Sequence, residues 1–356
     1  MRTYIEQMLE RLATLDAENE YLLYIARWKP FPESTSWLPP VGPNFQAHLK
    51  RFPDRLLRNL EHGFGVRVTE RFLLPNVDLF HGCCQVIPPV KSTTTVLTRH
   101  HFTEKVTAIS DFESEVFDAC VPRADFIITP SQYTKDFVVE NFKVPEERVR
   151  VIYHGVFDPK PVVSKDQIAA LQTKYDLPKR FVLFLSRLIP SKRADVLLRA
   201  FKKIEDKVPD VGVVLAGRPD SVHGGEIEKL AVELGLESRV CLTGEIAHSE
   251  VPQFYAAAEA FAFPSVSEGF GIPIIEAMAM GCPVIGARAT AIPEVMADAG
   301  LIFEKDNEEE LADRLLAVLT DSSLHASLAE KGHQRSALFS WEKSAREHLA
   351  VYKEAA

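Results

Sequence analysis

The sequence predicts an α/β protein with two domains, each built on a parallel β-sheet of the Rossmann-like type. The chain has 356 residues, which is longer than the usual span of one hydrophobic core. In its second half, short apolar runs alternate with amphipathic stretches, and repeated β-α units of this length form a parallel sheet with helices on both faces. One apolar run ends in a loop with two glycines that leads directly into a helix, an arrangement that suits phosphate binding.

The predicted first domain begins with an amphipathic helix over residues 2–15, in which Ile5, Met8 and Leu12 recur at helical spacing. The Pro-rich segment 28–43 predicts an exposed loop. The other strands of this domain are predicted at 21–26, 65–71, 77–82, 93–99, 124–129 and 149–153. Its other helices are predicted at 44–62 (broken at Pro53), 106–120 and 131–141, and a stiff linker is predicted at 157–161.

The second domain is predicted from six apolar runs and the amphipathic stretches between them. Strands are predicted at 181–186, 211–217, 240–244, 260–264, 283–287 and 300–303. Helices are predicted near 192–207, 225–235, 249–258, 273–280, 292–298 and 307–319, and a last one ends near 353. This regular alternation predicts a doubly wound parallel sheet.

The composition is that of an ordinary globular protein and argues against several functional classes. Apolar residues make up 46% of the chain and charged residues 26%. A net charge of −9 argues against a nucleic-acid binder, because phosphate neutralisation needs clustered Lys and Arg. The five cysteines include no C-x-x-C pair, which favours a reducing compartment over a disulfide framework. Since we find no signal peptide and no apolar run of 18 residues, we expect a soluble, cytoplasmic protein.

The segment 265–281 carries the strongest chemical signal. Glu268 and Glu276 flank a loop with two glycines, and Pro273 marks the start of the following helix. A glycine loop at a helix N-terminus presents backbone N–H groups and a positive dipole end to a phosphate. Carboxylates beside it suit the hydroxyls of a sugar or a ribose. Taken singly, Glu276 could simply complement the helix dipole, and Glu268 could be a solvated loop charge.

The residues E-G-F-G-I-P-I-I-E, with Glu268 and Glu276 eight positions apart, resemble the E-x7-E signature of the retaining glycosyltransferases of family 4, which have the GT-B fold. The resemblance extends over nearly the whole chain. It implies two Rossmann-like domains whose parallel sheets face a central cleft. The acceptor-side domain would cover residues 1–157, the nucleotide-sugar domain 158–338, and a C-terminal helix over 339–356 would cross back to the first domain.

The start of the chain departs from the pattern of this family. Members normally begin with a strand and a glycine-rich loop, followed by a helix that resembles residues 2–15. Here that helix begins almost at Met1. The resemblance therefore predicts that the first strand of the N-terminal domain is missing from this sequence.

The resemblance also assigns roles to charged residues. Glu268 would hold the transferred sugar and Glu276 the ribose of the nucleotide. Arg187 and Lys192 resemble the R-x4-K pair that holds the donor diphosphate, and both guanidinium and ammonium groups suit phosphate oxygens. The family usually has Gly after this Lys, whereas this chain has Arg193. Taken alone, two loop cations would most often be a solvated surface feature.

Other positions match the family less specifically. His100 ends a predicted strand, where ligands of open α/β sheets bind. The His-Asp of the family is replaced by His100-His101, so that His100 would contact the donor sugar or the acceptor, or would be a polar loop histidine. The resemblance places further donor contacts at Gly217, Ser267, Gly269, Phe270, Gly271, Thr290 and Glu294.

The implied function is transfer of a hexose, with retention of configuration, from a nucleotide-diphosphate sugar to a glycan or lipid-linked acceptor. Our first expectation for the donor is GDP-mannose. No D-x-D triplet occurs in the sequence, so we expect fixed cations to stabilise the leaving diphosphate without a metal or another cofactor. A lipid-linked acceptor would require peripheral contact with the inner face of the membrane, and the loop with Trp28 and Trp37 is a candidate for it.

Two alternatives belong to other classes. A catalytically impaired GT-B protein that binds a nucleotide or a partner transferase would explain the missing strand and the altered His100-His101. Such a protein would need neither a cation pair nor a glutamate pair. An NAD-dependent dehydrogenase would share the sheet architecture, but no predicted strand is followed by G-x-G-x-x-G.

Overall fold

The computed structural model describes residues 2–27, 42–51, 77–83, 86–88, 90, 93–100, 111–157, 160–218 and 223–356. Most of the predicted loop at 28–43, the predicted strand at 65–71 and the first part of the predicted helix at 106–120 lie outside these ranges. The described chain forms two compact units. One contains the described residues up to Gly155 together with Trp341–Ala356, and the other contains those from Val156 to Ser340.

Before the boundary at Gly155, the described elements are a helix and four strands, followed by alternating helices and strands. In chain order they are α1 (Arg2–Leu15), β1 (Tyr21–Arg27), β2 (Phe45–Arg51), β3 (Leu79–Gly82), β4 (Thr94–Thr98), α2 (Asp111–Cys120), β5 (Phe126–Thr129), α3 (Gln132–Phe142) and β6 (Val149–Val151). Strands β3 to β6 form a parallel sheet in sequential order, and β1 and β2 form a separate parallel pair.

The prediction of a helix at 44–62 is wrong at its start, because Phe45–Arg51 is strand β2. This strand pairs with β1 in parallel register, with Tyr21 opposite Phe45. The rings of Tyr21 and Phe45 stack with their centroids 4.4 Å apart. Apolar residues at 45, 47 and 49 alternate with polar ones, which is the period of a strand. The short sequence pattern fits either a helix or a strand, and the pairing with β1 makes this segment a strand.

The elements after the boundary form the second unit, except for the last helix, which belongs to the first unit. They are α4 (Lys165–Tyr175), β7 (Arg180–Leu185), α5 (Ala194–Lys202), β8 (Val211–Ala216), α6 (His223–Glu233), β9 (Val240–Gly244), α7 (Val251–Ala257), β10 (Ala260–Phe263), α8 (Ile272–Ala279), β11 (Val284–Arg288), α9 (Ile292–Met296), β12 (Leu301–Glu304), α10 (Glu308–Thr320), α11 (Ser322–Ser336) and α12 (Trp341–Ala355). The last of these, α12, belongs to the first unit.

The sheet of the second unit is parallel throughout, with the strand order β12-β11-β10-β7-β8-β9. Its central strands are apolar over nearly their whole length and buried, as expected for a sheet covered by helices on both faces. The chain moves outward from β7 in one direction through β8 and β9, and in the other through β10 to β12. The point at which the winding reverses therefore lies between β7 and β10. Ligands of doubly wound sheets bind at such a switch point, beyond the carboxyl ends of the strands.

Helix α12 is anchored to the first unit by aromatic and polar contacts. The ring of Trp341 stacks on that of His154 at 5.5 Å. Farther along the helix, His348 Nδ1 lies 2.8 Å from the carbonyl oxygen of Ser344, and His348 Nε2 lies 3.0 Å from the hydroxyl of Tyr4 on α1. Because a carbonyl oxygen can only accept, Nδ1 carries the proton and Nε2 accepts from Tyr4.

The same hydrogen-bonded chain continues into the sheet of the first unit and returns to α12. The Tyr4 hydroxyl lies 3.1 Å from Thr98 Oγ1 on β4, and Thr98 Oγ1 lies 2.7 Å from His81 Nε2 on β3. His81 Nδ1 lies 2.6 Å from the hydroxyl of Tyr352 on α12. With neutral histidines, Thr98 donates to Tyr4 and accepts from His81 Nε2–H, Tyr4 donates to His348, and Tyr352 donates to His81 Nδ1. The neutral state is thus fully satisfied.

Candidate functional site

The switch point of the second unit is bordered by two loops. The loop after β7 contains Arg187 and Lys192, and the loop after β10 contains Glu268. Two hydrogen bonds join the loops: the backbone N–H of Val266 donates to the carbonyl oxygen of Ser191 at 3.0 Å, and the hydroxyl of Ser265 donates to the same oxygen at 3.4 Å. Ser265 is fully buried. The two loops are therefore held together directly beside Lys192.

An ion pair connects the two loops at this point. Lys192 Nζ lies 2.5 Å from Glu268 Oε1 and 5.9 Å from the centre of the Phe263 ring. The side chain of Glu268 is 9% exposed and that of Lys192 18%. Since so little water reaches the pair, each charge is strongly dependent on its partner. The structure thus brings together Lys192 and Glu268, two residues to which the family resemblance assigns roles in binding the donor.

Thr290 supports Glu268 from the turn that follows the neighbouring strand β11. Its Oγ1 accepts a hydrogen bond of 2.9 Å from the backbone N–H of Glu268. Thr290 has φ of +47°, which is costly for a β-branched residue and is a kind of strain concentrated at functional sites. Its hydroxyl therefore fixes the loop, whereas the resemblance predicts a donor contact at this position.

Helix α8 begins directly after the glycine loop. Gly271 is its N-terminal cap, with φ of +101°, a conformation that favours glycine. Glu276 lies in the second turn of α8 and is only 7% exposed. Its Oε2 accepts a hydrogen bond of 3.4 Å from the hydroxyl of Tyr255. Burial raises the pKa of the Glu276 carboxyl to about 8, against the opposing effect of the Tyr255 hydrogen bond.

Gly217 ends β8 beside the loop after β7. It has φ of +143°, and a Cβ atom added to it would lie 1.9 Å from the carbonyl oxygen of Ser186. Strand β8 therefore approaches the backbone that leads to Arg187 as closely as only glycine permits.

We expect Gly217→Ala to lower the free energy of unfolding of the second unit by about 1–3 kcal/mol, because the backbone must move to admit the methyl group. Urea unfolding monitored by circular dichroism would measure the change. Gly225→Ala is the matched control: its added Cβ meets nothing within 4 Å, and alanine in helix α6 should stabilise by up to about 1 kcal/mol. Equal changes in the free energy of unfolding for the two substitutions would contradict the requirement for glycine at position 217.

The other predicted residues are more dispersed. Arg187 is exposed after β7, and Phe270 is buried with its ring edge-on to Phe339 at 5.6 Å. Glu294 lies in the first turn of α9. His100 belongs to the first unit, where it follows β4 and its Nε2 lies 3.0 Å from the carbonyl oxygen of Cys83. Ser267 and Gly269 lie in the loop between β10 and α8.

Sequence reasoning missed three residues that support the site: Ser191, Ser265 and Tyr255. The first two join the loops, and the third contacts Glu276. Tyr255 could have been found only from its position in a short predicted amphipathic helix. A tyrosine on the buried face of such a helix needs a hydrogen-bond partner for its hydroxyl. Among the residues that the structure describes, no three or more His, Cys, Asp or Glu side chains form a group that could hold a metal ion.

The arrangement can bind an anion and several hydroxyl groups at once. Arg187 and Lys192 supply positive charge at the carboxyl end of β7, and α8 directs its N-terminus toward the same edge of the sheet. Glu268 and Glu276 supply acceptors for hydroxyl donors.

Within the described ranges, no helix is long and apolar enough to cross a membrane.

Two protein families match consecutive parts of the chain. The family described as Glycosyltransferase Family 4 matches residues 1–157, and the family described as Glycosyl transferases group 1 matches residues 168–335. A serotype-specific mannosyltransferase, WbdA of Escherichia coli, is 30% identical over 236 residues, which are 64% of this chain. An uncharacterised glycosyltransferase of Methanocaldococcus jannaschii is 29% identical and is matched over 86% of this chain and 83% of its own length.

The chain spans only 28% of the length of WbdA. Among solved structures, HepE of Anabaena in complex with UDP and glucose superposes with a TM-score of 0.76 at 19% identity, covering 99% of this chain and 95% of that one. At this identity the likeness concerns the fold. The two family matches, the parallel α/β units and the strand order together show that the chain belongs to the glycosyltransferases of family 4, with the GT-B fold.

Proposed function

We propose that this protein is a retaining glycosyltransferase that takes a hexose from a nucleotide-diphosphate sugar. The observation that carries the proposal is the ion pair of Lys192 and Glu268 at the switch point of the second unit. The proposal assigns these two groups to adjacent parts of one ligand. Lys192 would hold the diphosphate and Glu268 the sugar bonded to it. The proposal is supported by their contact at 2.5 Å, because it puts a cation and a carboxylate side by side at one point of the sheet edge.

The chemical step breaks the bond between the anomeric carbon and the diphosphate oxygen and forms one to the acceptor oxygen, and the proton of the acceptor hydroxyl passes to the departing diphosphate. Negative charge grows on the departing diphosphate, and fixed cations nearby stabilise it without reorganisation. Arg187 and Lys192 supply this charge, so we propose transfer without a metal or another cofactor. Glu276 would accept hydrogen bonds from the ribose hydroxyls. Retention of configuration rests on the family resemblance.

For the donor we propose GDP-mannose. WbdA, whose matching region is 30% identical, is a mannosyltransferase, whereas the HepE structure contains UDP and glucose; UDP-glucose is therefore the competing donor. We further propose a glycan or lipid-linked acceptor, a cytoplasmic location, and peripheral contact with the inner face of the membrane where the acceptor is a lipid. Gly217, Ser267, Gly269, Phe270, Gly271, Thr290 and Glu294 would border the donor, and His100 would contact the sugar or the acceptor.

A thermal-shift experiment with GDP, UDP, dTDP and ADP, each with and without Mg²⁺, tests the proposal. A nucleotide at 100 times its Kd adds about 2.7 kcal/mol of stability, which raises the melting temperature of a domain of this size by several degrees. We expect GDP to give this shift without Mg²⁺. A shift with UDP alone would replace the donor, and a shift that requires Mg²⁺ would overturn metal independence.

Transfer itself is tested with radiolabelled GDP-mannose and polyprenyl-linked or free mannosyl glycans as acceptors. We expect release of GDP together with a labelled glycan. Nucleotide binding without transfer to any of these acceptors would favour the catalytically impaired protein that binds a nucleotide or a partner transferase. If no nucleotide binds, the proposed function is wrong.

A further inference from the structure

Tyr255 lies on α7 with its side chain in the interior of the second unit. It is 1% exposed, and its ring meets that of Phe261 edge-on, with centroids 5.3 Å apart. Its hydroxyl donates to Glu276 Oε2 at 3.4 Å. A buried phenol keeps a hydrogen-bond partner, and within the described part of the chain this partner is the carboxylate that the proposed function assigns to the ribose.

The protonation state of Glu276 matters for that role. Ribose hydroxyls are donors that require an acceptor, and an ionised carboxylate offers acceptor sites on both oxygens. Burial raises the pKa of Glu276 to about 8, and the Tyr255 hydrogen bond opposes the rise. The carboxyl is therefore mostly protonated at neutral pH before any ligand binds, and the phenol hydroxyl shifts the balance toward the ionised form.

Other titratable groups lie on the elements packed against α8. Cys282 follows α8, and burial raises the pKa of its thiol. On α11, Lys331 pairs with Asp298, while burial and the nearby Lys160 lower the pKa of His333. The others are Glu294 on α9, Arg288 on β11, and His325, Glu330 and Arg335 on α11. Burial and the Tyr255 hydroxyl alone account for the shifted pKa of Glu276.

We propose that Tyr255 is a positioning residue for Glu276, and that its hydroxyl favours the ionised, hydrogen-bond-accepting form of the carboxyl that the ribose of the donor nucleotide requires. This inference rests on the proposed function and deepens it. It makes nucleotide affinity dependent on pH. Below the pKa of Glu276, binding must first remove a proton from the carboxyl, so that affinity falls as the pH falls.

The test is GDP and UDP affinity between pH 6.5 and 9, measured by isothermal titration calorimetry on the full chain. The range lies above the second ionisation of a phosphate, near pH 6. In the wild type, affinity should rise about thirtyfold over this range, with a midpoint near 8. In Tyr255→Phe, affinity at pH 7 should fall by a further three- to tenfold, which corresponds to the loss of one hydrogen bond of about 1 kcal/mol. At pH 9 it should approach that of the wild type.

Two variants serve as references. Tyr175→Phe removes a phenol that donates to Glu250 at 2.8 Å elsewhere in the same unit, and should leave the profile unchanged. Glu276→Gln should weaken binding and make it independent of pH. Incorporation of 3-fluorotyrosine at position 255, a more acidic donor, should move the midpoint to lower pH, and replaces Tyr255→Phe if that variant does not fold.

The outcomes are distinct. A wild-type profile in Tyr255→Phe, or an equal loss of affinity at every pH, would overturn the positioning role while leaving Glu276 in the nucleotide site. Wild-type affinity in Glu276→Gln would instead remove Glu276 from that site, and with it this part of the proposed function.

Discussion

Lys192→Ala should lower kcat/KM for sugar transfer by about 10²- to 10³-fold, the cost of removing one preorganised group that stabilises developing charge. The same substitution should weaken the binding of the free nucleoside diphosphate by at least about tenfold, because a charge-assisted hydrogen bond contributes about 1.5–3 kcal/mol. Lys174→Ala is the matched control. Its ammonium pairs with Glu250 at 2.7 Å in the same unit, but its side chain is 55% exposed, so transfer should be unchanged.

The variant Glu268→Gln tests the same pair of residues, because it should lower the rate of transfer but raise the affinity for the nucleoside diphosphate. Transfer should fall, since the neutral amide is a weaker acceptor for the sugar hydroxyls than the carboxylate. The nucleoside diphosphate, which lacks the transferred hexose, should bind several-fold more tightly, since Lys192 is no longer paired with a carboxylate 2.5 Å away. Initial-rate kinetics and calorimetry measure the two effects. Weaker binding of the diphosphate in Glu268→Gln, or kcat/KM within threefold of the wild type in Lys192→Ala, would contradict the roles assigned to this pair.

The sequence predicts the second unit better than the first, and the reason is physical. The strands of the second unit are nearly continuous apolar runs, a pattern set by burial on both faces of the sheet. The same reasoning missed α4, although Ser164 and Gln167 form a capping box at its start, and it missed α11, which Asp321 caps. Both helices bury few residues, Leu171 in α4 and Leu328, Gly332 and Ser336 in α11, so hydrophobic periodicity gave little signal while the caps were available.

Some features of the candidate site could likewise be predicted from the sequence, and others could not. The E-x7-E motif and the cation pair are read from single segments, and the structure places Glu268 and Lys192 in contact. The Tyr255 hydrogen bond to Glu276 and the Ser265 bond to the loop after β7 join residues 21 and 74 positions apart. Such contacts depend on the strand order of the folded sheet, which brings β7 and β10 together, and no local pattern encodes them.

Acidification should destabilise the first unit strongly, because two buried histidines in the chain between Tyr4 and α12 must remain neutral. Burial lowers the pKa of His348 to about 4, although the hydrogen bond to Ser344 opposes the shift. The pKa of His81 is lowered well below its usual value, first by burial and then by His348 and His100. An unfolded histidine has a pKa near 6.5, so below that pH the unfolded chain binds more protons than the folded one.

The sign of the effect follows from this difference. Stability is complete above pH 6.5 and is lost as the pH falls toward the folded pKa of about 4. For His348 alone the loss at pH 5 is about 2 kcal/mol, and His81 adds to it in the same direction. Hydrogen-exchange mass spectrometry of residues 341–356 at pH 8 and pH 5, corrected for intrinsic exchange rates, would measure the opening free energy of α12.

The variant His348→Gln separates titration from packing. It should lower the opening free energy of α12 at pH 8, because the bond to Tyr4 is weakened, but the further loss between pH 8 and pH 5 should shrink by about 2 kcal/mol. The exposed His248, replaced by Gln, should leave both values unchanged. Equal protection of α12 at the two pH values in the wild type would show that the histidines are not held neutral.

Because one protonation on either ring adds a donor where the neutral chain places an acceptor, release of α12 should be cooperative with the loss of the Tyr4–Thr98 and His81–Tyr352 contacts.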